Sequence, residues 1–500
     1  MAITAGGNLN SVAAPQQQTL ASNYIDFTST ATQGWAQQYL PDLMEKEAEV
    51  FGNRTISGFL AQVGAEESMM SDQVVWSEQS RLHLSYVGTL DVDGDVNGTF
   101  TVTTDIDGNV AGDGFTPADH GIRVNDMVLI AQAGAVVKAL VVETPDSAVV
   151  TVEPYANAAL STELADGTAT LLVIGSEYGK GQSYSDITGT WNSDRRTAIE
   201  PTFKSFTNKP IIMKDYYEIS GSDAAQIGWV EVSGEAGQNG YLWYLKAEGD
   251  TRARFTDYLE MAMLEAEKTA ANSAIGFADK QIRGTADAGA NGAGSEGLFA
   301  AIEDRGNLTS GVTGVNAATD LAEFDAILAE FDSQGAIEEN MMFVNRATSL
   351  AIDDMLASMN SYGAGGTSYG VFQNSEEMAL NLGFSGFRRG SYDFYKSDMR
   401  YLNDKATRGG INTRATSAAI RGVMIPAGVS SVYDQALGKN LKRPFLHVRY
   451  RASQTDNRYL KTWVTGSVGA ATSALDAMQI HYLSERCLVT QGANNFMLMK

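Results

Sequence analysis

Cysteine is nearly absent: 500 residues hold one, Cys487. A single thiol excludes an internal disulfide framework and any metal centre built on several cysteines. Its neighbours Leu483, Leu488 and Val489 make it read as a small buried residue. Histidine is almost as scarce: His83, His120, His447 and His481 are scattered, with no ligand spacing such as HExxH. Long apolar runs are missing too. No window of about 18 apolar residues occurs, so no membrane-spanning helix is expected. The best run, AGAVVKALVV, is short and interrupted by Lys138. The opening MAITAGGNLNSVAAPQQQ has neither a basic region nor a continuous apolar run and does not read as a signal peptide. Positive charge is in short supply, with 36 Lys+Arg against 60 Asp+Glu and a net charge of −24. Phosphate binding needs clustered positive charge, so a chain this acidic is a poor candidate for wrapping DNA.

What is present suits a folded protein with many turns: 44% hydrophobic residues and 50 glycines. This length exceeds what one core supports, so about two to four lobes are expected. Residues 1–25 carry no charged side chain and cannot bury enough to fold alone, so they read as a loose tail or an arm ordered by a partner. Residues 35–51 read as a short helix. From 86 to 176 short β-branched runs (TFTVTT, DMVLIAQ, VVKALVVET, AVVTVEP) alternate with Asp-Gly and Asn-Gly turns, the pattern of a small antiparallel barrel or sandwich. This module holds 13 acidic residues against Arg123 and Lys138. Its flanks, WSEQSRLHLSY and EYGKGQSYSDITGTW, read as hairpin-like.

The longest element is expected at 241–274. Phe255, Leu259, Ala262, Met263 and Ala266 form one apolar stripe, with Glu260, Glu265, Glu267 and Lys268 on the other faces. About thirty residues make a rod of roughly 45 Å. Beyond it, LFAAIED reads as a short helix, and Leu321, Phe324, Leu328 and Phe331 mark another, capped by Thr319 and Asp320. MMFVN reads as a buried strand, ATSLAIDDMLASM as a helix, GFSGFRRGSYDFYKSDMRYL as a hairpin, and the final AMQIHYLSERCLVTQGANNFMLMK as extended chain closing a sheet. Residues 387–462 hold 15 Lys+Arg against five Asp. Such a segment reads as a solvated face, as a complement to the acidic regions of another copy, or as a nucleic-acid contact. In the second case charge reversal at Arg388 and Arg389 should impair association.

The motifs with chemical meaning fail on context. Gly292, Gly294 and Gly297 match GxGxxG but follow a loop, where a dinucleotide site needs a buried strand. Gly366, Ser368 and Gly370 match GxSxG without a convincing strand before or helix after. Asp93, Asp95 and Asn97 open a calcium-loop pattern whose twelfth position is Thr104 where a bidentate Glu belongs. No catalytic, cofactor-binding or metal-binding residues are assigned, no cofactor is expected, and the chain reads as a non-enzyme.

The order of parts, with GLFAAIEDRG after the long helix and the closing SERCLVTQGANNFMLM, resembles the major capsid proteins of tailed bacteriophages, and in particular those of the crAss-like group. The resemblance implies an α+β chain with the HK-97-type capsid fold: an N-terminal arm (1–34), a helix and ascending E-loop (35–85), an inserted all-β module (86–176), a descending E-loop (177–220), a P-domain with a spine helix (221–316), an A-domain (317–448) and return strands (449–500). It also implies self-assembly into hexamers and pentamers of an icosahedral shell around double-stranded DNA, assembled in the host bacterial cytoplasm and located in the virion. The implied partners are other copies of the chain, with portal, scaffolding and head-decoration proteins. Packaged DNA would be held only weakly, and no membrane is involved. Rival readings are a secreted hydrolase or carbohydrate-binding adhesin, and another virion part such as a tail or decoration protein.

Overall fold

The computed structural model describes residues 65–79, 81–92, 97–111, 115–146, 148–156, 159–181, 203–222, 242–268, 294–360, 386–427, 429–434, 439–468 and 472–500. The arm at 1–34, the helix expected at 35–51 and the GxSxG segment lie outside these residues.

The first strands, β1 (Ala65–Met69) and β2 (Val74–Gln79), lead outward. Six more follow: β3 (Ser85–Asp91), β4 (Gly98–Asp105), β5 (Asp126–Gln132), β6 (Ala135–Asp146), β7 (Val149–Pro154) and β8 (Gly167–Ser176). They close into a barrel in the order β3-β4-β7-β6-β5-β8. Closure follows from strict alternation. Val128 and Ile130, Val137, Ala139 and Val141, and Ala169 and Leu171 all point inward and are at most 3% exposed, around a fully buried Phe100. Gly88 is required where β3 crosses β4, since a Cβ there would lie 2.2 Å from the Thr101 carbonyl oxygen.

The chain returns through β9 (Phe203–Asn208), which pairs antiparallel with β2, and continues into β10 (Ile211–Ser220). The barrel therefore sits at the end of a two-stranded ribbon. The segment leading into the barrel does not fold back on itself as a hairpin. Its partner is the distant 203–208 run, because Trp76 and Phe206 face each other across the ribbon with ring centroids 6.2 Å apart. Arg81 braces the barrel: its guanidinium grips Asp107 on the β4 side and donates to the Ser333 carbonyl at 3.0 Å.

The long helix, α1, spans Leu242–Glu265, about 36 Å at 1.5 Å per residue. It ends earlier than the 274 expected from periodicity. The Ala266 carbonyl accepts from the Gly297 amide at 2.7 Å, and the Lys268 ammonium donates to the Thr207 carbonyl, so 266–268 are held by neighbouring chain instead of a further turn. Residues 269–274 are outside the described set. Phe255, Leu259 and Met263 are buried as the stripe requires, but Leu264 and Glu260 are buried as well, so α1 is covered over a wider face than the stripe.

After α1 come α2 (Leu298–Arg305), β11 (Asn307–Thr309), α3 (Ala317–Gln334), β12 (Glu339–Val344) and α4 (Arg346–Asn360). The α3 cap is Asn316, whose side-chain oxygen accepts from the Thr319 amide at 3.0 Å; Thr319 and Asp320 lie inside the helix, and Asp320 instead accepts from Gly314. Gly335, at φ 63°, ends α3 in the left-handed region. A hairpin of β13 (Gly386–Arg389) and β14 (Tyr392–Asp398) follows, then the short helices α5 (Arg400–Asn403) and α6 (Arg408–Asn412) and the strand β15 (Gly422–Pro426).

The closing strands are β16 (Val429–Asp434), β17 (Lys439–Pro444), β18 (Leu446–Arg451), β19 (Lys461–Gly466), β20 (Ala477–Thr490) and β21 (Met497–Met499). Two sheets organise the α+β body. In the first, β20 pairs with β10 on one edge and with β18 and β19 on the other, and β1 joins β18 in parallel. Helix α1 packs on it through Phe255, Leu259, Ile480 and Tyr482. The second sheet has the order β11-β21-β15-β12-β14-β13, with α3 and α4 packed against it around Phe324, Phe331, Phe387 and Phe394. The C-terminal stretch thus serves both sheets: β20 closes the first and β21 the second, with a turn at Gly492 between them.

Candidate interaction surfaces

The residues with catalytic potential do not converge. His83 is exposed, and burial pushes His120 down from the usual histidine range. His447 is 1% exposed, with Nδ1 3.2 Å from the Pro444 carbonyl. His481 stacks on Trp463 with centroids 5.1 Å apart and shares a 2.7 Å contact with the Thr465 hydroxyl. No cluster of three or more metal-ligating side chains occurs among the described residues. Thr104 lies in β4, and the start of the calcium-loop pattern, like Ser368, falls outside the described set. Gly294, at φ 92°, and Gly297 precede α2, but the backbone they shape turns onto α1: a Cβ at Gly297 would meet the Ala266 nitrogen at 2.7 Å.

What does converge is a pair of polar joints where the barrel-bearing ribbon is rooted in the first sheet. The first centres on Asn208, 1% exposed, at the end of β9. Its Nδ2 donates to the carbonyls of Glu296 and Leu488 at 2.9 and 2.6 Å, and its Oδ1 accepts from the Glu296 amide at 2.8 Å. One side chain therefore joins the ribbon, the start of α2 and β20. Beside it the Glu296 carboxylate receives both Arg305 nitrogens at 3.1 and 3.0 Å. The Arg305 guanidinium in turn lies 4.5 Å from the centroid of Phe206 and 5.9 Å from that of Trp76. A delocalised cation suits that place because it stacks on rings while pairing a carboxylate in two directions.

The second joint fixes β1. Glu485 on β20 is 4% exposed and contacts the Nε atoms of Arg451 and Arg458 at 2.8 and 2.9 Å. Arg451 also pairs with Asp72, just beyond β1, and Arg449 with Glu67 at 2.9 Å. Arg486 stacks over Tyr459 at 4.1 Å, and the Tyr459 hydroxyl donates to Glu66 at 3.0 Å. Charges at this density are held in place only because each has an opposite neighbour.

These joints change the meaning of the basic segment. At least nine of its cations pair within the chain, Arg388, Arg389, Lys396, Arg400, Arg408, Arg449, Arg451, Arg458 and Lys461. Lys396 meets Asp353 at 2.5 Å with side chains 6% and 11% exposed. Arg389 holds Asp325 on α3, so charge reversal there would act on this lobe before it acted on any neighbour. Lys405 and Arg414 remain exposed, with no ion pair among the described residues. Composition registers the surplus of cations but not their partners, most of which lie tens to hundreds of residues away.

Cys487 is fully buried between the two joints, as its neighbours imply. Burial, opposed in part by Arg449 and Lys268, pushes its thiol up to about 12. Burial and the Asp332 carboxylate likewise raise Tyr392 to about 12. Each group keeps its proton longer folded than unfolded. The stability they contribute is complete below the ordinary thiol pKa of about 8.5 and is lost as pH rises toward about 12. Denaturation midpoints are therefore expected to hold steady to about pH 8 and fall progressively above it. In the native state at pH 8, Cys487 should not react with a thiol reagent; fast labelling without unfolding would contradict its burial.

No protein-family model matches the chain, and no curated protein matches it. Among solved structures it is similar to "Capsid of native GTA particle computed with C5 symmetry", at 10% identity over 93% of this chain and 97% of that one, with a TM-score of 0.35. It is similar to "Microbacterium phage Oxtober96" at 8% identity over 95% and 99%, TM-score 0.36. It is also similar to "Asymmetric unit of bacteriophage PhiM1 mature capsid" at 10% identity over 65% and 78%, TM-score 0.31. The solved structures that this chain resembles are phage and capsid structures, all at TM-scores below 0.5.

Proposed function

We propose that this protein is a structural virion protein, the major capsid protein of a tailed phage, which self-assembles into an icosahedral shell of hexamers and pentamers around double-stranded DNA. The observation that carries this reading is the ribbon. A chain segment leaves the first sheet, carries a self-contained barrel at its end, and returns to joints of buried charge and hydrogen bonds. Such a part reaches outward while its root stays rigid, which is what a subunit needs to lie over a neighbour.

In this reading 1–34 is the arm, 35–85 and 177–220 the two sides of the E-loop, and 86–176 the inserted module. Residues 221–316 are the P-domain with α1 as spine helix, 317–448 the A-domain, and 449–500 the return strands. The arm and E-loop add contacts across copies, partly by strand addition, and the spine helix pivots as the shell changes state. The net charge of −24 keeps DNA from sticking to the inner wall, which favours packing and release. Portal, scaffolding and decoration proteins would be partners. Assembly would take place in the host cytoplasm, and no catalytic step is assigned.

The test is negative-stain microscopy of the purified full chain with sedimentation at low and high salt. Closed shells, or rings of five and six that weaken as salt rises, are expected. A filament or an isolated trimer would move the protein to another virion role.

A further inference from the structure

The barrel has two unlike outer walls. On β8, β5 and β6 the outward residues stand side by side in register: Leu172 opposite Leu129, Met127 opposite Leu140, with Ile174 beyond one end and Val136 at the other. Val136 is 65% and Ile174 48% exposed. Around the barrel, β4 instead presents Thr99, Thr101 and Thr103. Lys138, exposed opposite Leu129, and Thr168 and Thr170 on β8 break this wall, but an outer face with so many apolar positions is unexpected on so acidic a module, whose inward positions already form a complete core. Its margin is acidic: Glu153 stands opposite Leu140, Glu177 lies past Ile174, and Glu163 and Asp166 lie at the Gln132 end.

The apolar positions and acidic margin of this wall suit a partner that sets an apolar side chain among positive charges, and a second barrel would bring more negative charge. The same chain carries the complement elsewhere. On α6, Ile411 is 54% exposed, and Lys405 and Arg414 beside it are exposed with no ion pair among the described residues, whereas Arg389 and Arg408 of the same basic segment pair within the chain. We infer that the β8-β5-β6 wall of the barrel docks on the 405–414 segment of a second copy of this chain. Two different patches meeting in this way make a head-to-tail contact, which closes into rings when the rotation allows. The inference rests on the shell reading only in requiring a second copy, and it names which surfaces meet.

Because Cys487 is buried, thiols can be placed without background. Val136→Cys and Ile411→Cys are made in separate full-length chains carrying tags of different size, mixed under associating conditions and treated with a short bis-maleimide. A cross-linked band bearing both tags, absent from either variant alone and fading as salt rises, is expected. Val136→Glu or Ile411→Glu in the same chain should raise the concentration needed for association roughly tenfold, as loss of one apolar anchor does. Cross-linking of Val136→Cys with itself would overturn the pairing in favour of a barrel–barrel contact. Oligomers in sedimentation without the mixed band would overturn it and leave the shell reading intact. A monomer under every condition would overturn both.

Discussion

Replacing Glu485 by alanine is expected to open the first sheet. The carboxylate is 4% exposed and lies 2.8 and 2.9 Å from the Nε atoms of Arg451 and Arg458. Without it two guanidinium groups face each other across a site with little water, and breaking one side of such an arrangement costs about 3 kcal/mol. A chain of several lobes does not unfold in one step, so the useful measurement is local hydrogen exchange. Amides of β20 and β18 should exchange about 100-fold faster in Glu485→Ala, whereas those of the barrel should not change. Pairing the change with Arg458→Met should recover part of the loss, since it removes one of the two cations left facing each other, while Arg451 keeps Asp72. Unchanged exchange in β20 would mean that desolvation cancels the Coulombic attraction here, and that the joint sets register instead of stability.

Much of the fold is legible wherever a local period reports burial. The 86–176 strands show themselves because inward Val128 and Ile130 alternate with partly exposed Met127 and Leu129. Helix α3 shows itself through Leu321, Phe324, Leu328 and Phe331, of which Phe324 and Phe331 are fully buried and the leucines partly so. The β13–β14 hairpin follows from Gly390, whose φ of 62° meets the turn's need. Local pattern fails where the partner is remote. Asn208 sits in SFTNKP, part of a stretch that reads simply as extended chain, and its partners are Glu296 and Leu488, 88 and 280 residues away. Glu260 falls off the stripe of α1 on a wheel, yet is 7% exposed, because more than one element covers that helix. The N-terminal cap of α3 falls on Asn316, three residues before the expected Thr319, because the backbone is still extended there at φ −166° and its side chain reaches the Thr319 amide. The basic segment is the clearest case: a count of charges contains no information about Arg389 reaching Asp325 or Arg408 reaching Glu265. The candidate surfaces are consequently less legible than the fold, because an interface is what remains after internal pairing is complete.

Asn208→Ala should produce the second large effect, and a more localised one. The substitution strands the Leu488 carbonyl and both backbone groups of Glu296, which Asn208 holds at 2.6, 2.9 and 2.8 Å in a site that is 1% exposed. Buried polar groups left without partners cost about 1–3 kcal/mol each, so a loss of roughly 4 kcal/mol is expected at this joint. The damage should follow connectivity. Amides of β9 and β2 lose protection, while β13 and β14 of the second sheet and the barrel strands keep theirs, because their cores share no residue with the joint. Asn208→Asp separates two contributions. It retains an acceptor for the Glu296 amide but removes both donors and adds a negative charge beside the Glu296 carboxylate, so it should be no milder than alanine. If the ribbon contributes to association by being rigid at its root, Asn208→Ala chains should stay folded in both sheets yet fail to form rings or shells, and raising the protein concentration should restore association only partly. Normal assembly alongside fast exchange in β9 would show that the ribbon needs its barrel but not its stiff root, which would place the binding energy in the barrel wall and leave the joint a role in folding alone.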